Sequence, residues 1–183
     1  MTDANALFGY LEQGKTVSMS QDLTGNFANA SQNILCDLTG VTSRFDVNSY
    51  TLSYDGDSNG NKDWVMFRLG GTNGNPAHLT VGGGYAGFGN IVFDLTSLNK
   101  NARPCIFDIG KDSTVVLEQG VVIEIRCPSQ YVNNVTAIKG VSNIETEYPG
   151  ITVTKGTENG YGYVRITVNS RTVLVGEAPT TNQ

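Results

Sequence analysis

Asn33-Ile34-Leu35-Cys36-Asp37-Leu38-Thr39 is echoed further along the chain by Asn90-Ile91-Val92-Phe93-Asp94-Leu95-Thr96. Ile34, Cys36 and Leu38 alternate with Leu35 and Asp37, the period-2 pattern of a strand with one buried face. A shorter signature, an apolar-x-apolar triplet led by Phe, recurs as Phe45-Asp46-Val47, Phe67-Arg68-Leu69, Phe93-Asp94-Leu95 and Phe107-Asp108-Ile109. A repeated strand unit cannot bury its apolar face alone and must stack on its neighbours. The triplets lie roughly 22, 26 and 14 residues apart, irregular but within the range of a β-solenoid rung with variable loops. The pattern therefore predicts an all-β solenoid in which Phe45, Phe67, Phe93 and Phe107 point inward and stack along one core.

Further apolar alternation supplies more strands: Val17 with Met19, Tyr50 with Leu52 and Tyr54, Leu79 with Val81, Val115 with Leu117, and Ile123 with Ile125. Gly-rich turns separate them at 55–60, 70–75 and 82–89. Asp3 to Gln13 is the one convincing helix: Asp3 caps it, Leu7, Phe8 and Leu11 line one face, and Gly14 stops it. Such a helix ahead of many strands reads as a plug over 1–14, covering an otherwise open strand edge. Rungs are expected over 15–129. Beyond Pro128 the triplets cease, and 130–176 reads as a β cap or assembly subdomain. There Val164, Ile166 and Val168 are expected to pair with 172–175 in a hairpin across Asn169-Ser170-Arg171. Residues 177–183 form a polar tail.

A chain of 183 residues with 39% hydrophobic content can bury a single core, and 22 glycines with only 16% charged residues suit short strands and tight turns. The net charge is −5 and the 12 basic residues are scattered, Lys100 with Arg103 being the nearest to a cluster, which argues against nucleic acid. Cys36, Cys105 and Cys127 are odd in number and form no C-x-x-C pair, so zinc and redox motifs fail. In-phase alternation places Cys36 and Cys127 in the core, where free Cys behaves as a small hydrophobe. No basic region precedes an apolar core at the N-terminus, and no run approaches the ~18 apolar residues of a membrane span.

Leu7-Phe8-Gly9-Tyr10-Leu11-Glu12-Gln13-Gly14-Lys15-Thr16-Val17, followed by Asp22-Leu23-Thr24, resembles the start of right-handed parallel β-helix domains of the pectate-lyase-like superfamily. Those domains begin with a capping helix, a Gly-x-x-Val strand and an Asp-Leu-Thr turn. The stretch from Phe45 to Leu52 resembles the family's Asp-Leu-Asn-Gly-x-x-Leu rung, with Ser49 where the family usually has Gly. His78 to Gly84 resembles its Leu-Thr-Ile-x-Gly-Gly turn, and Ser113 to Val121 its Ser-x-Leu-x-Leu-x-x-Gly-Val rung. The resemblance spans roughly residues 5 to 125 and implies a right-handed parallel β-helix. These motifs encode rungs and turns, not chemistry. The enzymes of the family, as the resemblance implies, use clustered carboxylates with a basic residue on the outer face of several rungs.

Asp37, Asp46, Asp94 and Asp108 recur at the outward middle position of the triplets, a carboxylate ladder that Arg68 interrupts. Outward strand positions are polar in any case, so catalysis is not expected and no catalytic residue is assigned. Asp55, Asp57, Asn59 and Asp63, with Gly60 at the sixth place, match positions one, three, five and nine of a calcium loop. Position twelve is Met66 where a bidentate Glu is needed, and a polar turn explains the same residues. Calcium is thus the one cofactor the sequence offers. His78, the single histidine, lacks a partner nearby in sequence. Tyr85 and Phe88 in one Gly-rich loop, and Tyr161 and Tyr163 in another, are candidates for stacking on sugars or packing in a subunit interface, or equally for the core of short strands.

The expectation is a structural or binding component of an extracellular assembly, a virion decoration or appendage protein contacting host-surface glycans. The alternatives are an excised adhesion domain of a bacterial surface protein and a small polysaccharide lyase or glycosidase. A chain beginning at Met1 is expected to be a complete small gene product. Its expected partners are copies of itself, a trimer being favoured through 130–183, and other virion or surface proteins, with no nucleic acid and no membrane.

Overall fold

Alternation tells a chain which residues go in, and parallel pairing decides which strands become neighbours. A computed structural model of the protein describes residues 3–26, 34–56, 63–71, 74–97 and 102–177. Helix α1 (Ala4–Glu12) comes first, then four coils of three strands each. These are β1 (Thr16–Ser18), β2 (Leu23–Asn26) and β3 (Ile34–Leu38); β4 (Thr42–Asp46), β5 (Thr51–Asp55) and β6 (Val65–Leu69); β7 (His78–Gly82), β8 (Gly89–Asp94) and β9 (Cys105–Ile109); and β10 (Thr114–Leu117), β11 (Val121–Pro128) and β12 (Thr136–Lys139). A 3-10 turn (Ser129–Asn134), the short α2 (Ile144–Glu147), β13 (Ile151–Glu158), β14 (Tyr161–Val168) and β15 (Thr172–Val175) complete the described chain.

The coils stack into three parallel faces, β1-β4-β7-β10, β2-β5-β8-β11 and β3-β6-β9-β12, the architecture of a parallel β-helix. Inward residues align in columns. Val17, Phe45, Val81 and Leu117 form one on the first face, and Leu23, Leu52, Ile91 and Ile123 another on the second. All these side chains are buried.

The four Phe of the triplets are buried, but they do not form one column. Phe45 lies on the first face and Phe93 on the second, while Phe67 and Phe107 are neighbours on the third. The Phe67 and Phe107 rings stack with centroids 5.3 Å apart, and Phe8 of α1 meets Phe67 edge-on at 5.8 Å. The strands of the echoed segments, β3 and β8, likewise belong to different faces, so the triplet marks a strand and not a coil.

The helix plugs the N-terminal end as its sequence predicts. The Asp3 carboxylate accepts from the backbone N–H groups of Asn5 and Ala6, and Gly14 leaves the helix at φ +79°. Ala4, Leu7, Phe8 and Leu11 are buried. Glu12 Oε2 accepts from the Asp37 N–H at 2.9 Å, and the Ser43 hydroxyl donates to the Leu11 carbonyl.

At the other end the chain departs from expectation twice. The fourth coil closes with β12, past the boundary expected at 129, because the 3-10 turn only rounds a corner of the coil. The hairpin is formed by β13 and β14, not by 164–168 with 172–175. Strand β14 pairs antiparallel with β11 on the second face, and β15 pairs antiparallel with β10 on the first. Asn169-Ser170-Arg171 thus leads from one face to another, although it has the composition of a hairpin loop. The Asn159-Gly160 pair, at φ +49° and +83°, makes the tight turn. Among the described residues no helix is long and apolar enough to cross a membrane.

Candidate functional site

On the outer side of the first face, Ser18, Asp46 and Gly82 share one row, and Thr16, Arg44, Thr80 and Val116 the next. Gly82 has no side chain, so Arg44 reaches across β7 to Glu118, just past β10. Arg44 Nη2 and Nη1 donate to Glu118 Oε1 and Oε2 at 2.6 and 3.3 Å, and Nε donates to Asp46 Oδ2 at 3.0 Å. Asp46 Oδ1 lies 2.8 Å from Nη2 as an ion contact without hydrogen-bond geometry. These two carboxylates raise the Arg44 guanidinium above its ordinary value, Glu118 contributing most. A Cβ at Gly82 would collide with the ends of Glu118, Arg44 and Asp46.

Beside this cluster the corner between β7 and β8 protrudes. Gly84 and Gly87 take φ of +64° and +79°, and the Gly87 N–H donates back to the Gly83 and Gly84 carbonyls. The corner of the preceding coil braces the loop: Asn48 Oδ1 accepts from Ala86 N–H at 3.3 Å, and Ser49 N–H donates to the Phe88 carbonyl at 2.7 Å. The loop displays Tyr85 fully to solvent and Phe88 half exposed. Ser18, Arg44, Asp46, Gly84 and Tyr85 line an open cleft. Sequence reasoning singled out Tyr85 and Phe88 but missed Arg44 and Glu118. The bare Gly82 was the one signal available, since the pair is distant in sequence.

Tyr161 and Tyr163 lie elsewhere. They start β14, opposite Pro128 and Arg126 at the far end of the second face, so the fold does not bring the two aromatic pairs together. Each ring meets a cation: the Arg126 guanidinium stands 5.1 Å from the Tyr161 centroid and that of Arg165 4.3 Å from Tyr163. Glu124 is held between Arg126 and Arg165, and Glu158 accepts from Tyr161 Oη and Arg165, both at 2.9 Å. Those two bonds, the tyrosine's first, lower the Glu158 carboxyl below its usual range. This network fastens the antiparallel hairpin to the last parallel strand of its face.

Of the calcium-loop residues, Asp57 and Asn59 lie outside the described residues. Asp55 ends β5 in register with Asp94 on β8, and burial, then the Asp94 charge, pushes its carboxyl up. Asp63 Oδ1 accepts from the Arg103 N–H at 3.0 Å. Among the described residues no group of three or more His, Cys, Asp and Glu is placed to hold a metal ion.

The outward carboxylates do not form one ladder. Asp46 is on the first face, Asp94 on the second, and Asp37 and Asp108 on the third. There Arg68 is a partner, not an interruption. Asp37, Arg68, Asp108 and Lys139 alternate in sign across four successive strands, and Arg68 grips Asp37 at 3.1 and 2.8 Å. Arg68 and Asp108 are buried, and among the described residues Arg68 Nη1 and Asp108 Oδ1 make no hydrogen bond. Burial pushes the Asp108 carboxyl up, against the opposing pull of Lys139 and Arg68. Asp94 Oδ1 is itself engaged, accepting from Thr96 N–H and Oγ1 at 2.9 and 2.6 Å.

His78 Nδ1 lies 2.7 Å from Thr114 Oγ1 on the neighbouring strand. The three cysteines are free and buried, and desolvation raises all three thiols, Cys105 to about 12 and Cys127 to about 11. A thiol held protonated in this way is a poor nucleophile.

No family model matches the chain, and neither a curated protein nor a solved structure matches it at a significant level.

Proposed function

We propose that this protein is a non-catalytic component of an extracellular assembly, a virion decoration or appendage protein, that contacts glycans through the corner carrying Tyr85. The supporting observation is a fully exposed aromatic ring, on a loop braced by Asn48, beside a cleft lined by Arg44 and Asp46. Sugars are recognised by such pairings: a ring face meets their C–H groups and fixed polar atoms meet their hydroxyls. A parallel β-helix suits the task because it is a stiff platform whose corners accept insertions without disturbing the core.

Hydrolysis or elimination is not part of the proposal. A glycosidase needs one free acid and one free base or nucleophile at a set separation. Here Asp37, Asp46, Glu118 and Glu124 each already pair with an arginine. The C-terminal end, where β13 and β15 are the outermost strands of their sheets, is the proposed contact with further copies or with the parent assembly.

A glycan array probed with the wild-type chain and with Tyr85→Ala tests the reading. Binding that the substitution abolishes supports it; an array with no bound glycan contradicts it. Mass spectrometry of purified virions and of cell-surface fractions tests the proposed residence.

A further inference from the structure

We infer that the ligand of this corner is a neutral oligosaccharide lying across two contiguous clefts, from Tyr85 to Tyr10; the inference rests on the glycan reading above. The cleft at Tyr85 ends at Ser18, and Ser18 also begins a second open cleft, lined by Tyr10, Lys15, Thr16 and Val17. The two follow β1 along the N-terminal rim of the first face, and β1 pairs directly with β4, which carries Arg44 and Asp46. The trough therefore has an exposed tyrosine toward each end, Tyr85 on the corner loop and Tyr10 on α1. A single sugar ring occupies one cleft; only a chain touches both rings.

Charge selects the class of chain. A sugar carboxylate is ordinarily taken by the two-pronged edge of an arginine. Arg44 has neither edge to offer: Nε serves Asp46, and Nη1 and Nη2 serve Glu118. With Lys15 of the second cleft the trough carries two positive and two negative groups, so no net charge attracts a uronic acid, while the carboxylates accept hydrogen bonds from hydroxyls. Lys15, the cation of the second cleft, stands over the Tyr10 ring with Nζ 5.0 Å from its centroid. The trough thus combines carboxylate acceptors, the hydroxyl groups of Thr16 and Ser18 and two aromatic rings, the complement of a hydroxyl-rich, uncharged chain.

The test measures affinity by calorimetry for β-glucan, α-glucan and chitin oligomers of one to six residues, with oligogalacturonate as the acidic arm. Affinity for a neutral series should rise at least tenfold from one residue to four. Tyr10→Ala should remove that gain, while Tyr10→Phe, which keeps the ring, should retain it; thermal melts confirm that both variants fold. Affinity that does not grow with length, or tighter and salt-sensitive binding of oligogalacturonate, would overturn the inference and leave the glycan reading standing. No binding in any arm, or on the array, would remove both.

Discussion

Arg44 on β4 is joined to Glu118 beyond β10 across the bare backbone of Gly82, with Nη2 2.6 Å from Oε1. The pair ties three successive coils together on the outer surface. Both side chains are about a third exposed, so the bridge is worth on the order of 0.5–1 kcal/mol at low salt. Gly82→Ala places a methyl group between the partners and should lose about that much. In a double-mutant cycle with Glu118→Gln the two effects should be clearly less than additive, with the coupling fading in high salt. Full additivity in urea melts would show that Gly82 does not hold the gap open for this pair.

Phe67 is enclosed by Phe107 on the next coil and by Phe8 of the plug. Phe67→Ala should cost about 3–5 kcal/mol, as for other large buried aromatics, and should loosen the helix as well. Denaturant unfolding gives the first quantity and hydrogen exchange of the α1 amides the second. A loss under about 1 kcal/mol would contradict the column as described.

Ser49 occupies the left-handed region at φ +73°. That is the place where the resembling rung has Gly, and the conformation supplies a reason, since a Cβ is strained there. Ser49→Gly should raise stability by about 0.5–1 kcal/mol, strain relief outweighing the added freedom of the unfolded chain. A lower melting temperature would mean that the serine hydroxyl contributes more than the strain removes.

Asp108 gives the protein an inverted acid response at one site. Its folded carboxyl lies above the unfolded value of about 3.9 because burial outweighs the pull of Lys139 and Arg68. Ionisation is therefore costlier in the folded state, and this group destabilises the fold at neutral pH. That cost is relieved as pH falls through the raised folded value towards the unfolded one. Asp108→Asn should be more stable than wild type at pH 7, and the advantage should shrink on acidification. Urea midpoints across the acid range measure it; an Asn variant less stable at neutral pH would show that the ladder's attraction outweighs desolvation.

Alternation alone made the strands legible at Leu52, Phe67, Ile91 and Val115, and the Asp3 cap and Gly14 stop bounded the helix. What alternation does not encode is which of three faces a strand joins. Phe67 and Phe107 share a column whereas Phe45 and Phe93 do not, although all four head the same triplet. The coil repeat emerges only from strands β4, β7 and β10, which begin at residues 42, 78 and 114 and carry no common motif. The misread hairpin has the same origin, because a corner and a hairpin loop draw on the same small polar residues. Of the candidate site, the aromatic half was visible in a Gly-rich loop. The charged half was not, because Arg44 and Glu118 are brought together by stacking and by the missing side chain at position 82.

The most direct test of the central claim is chemical-shift mapping of the isotopically labelled protein with a neutral oligosaccharide. Binding should move the amides of Ser18, Asp46, Gly84 and Tyr85 and leave those of Tyr161 and Tyr163 in place. Perturbations confined to the Tyr161–Tyr163 end of the second face, or none at millimolar ligand, would contradict it.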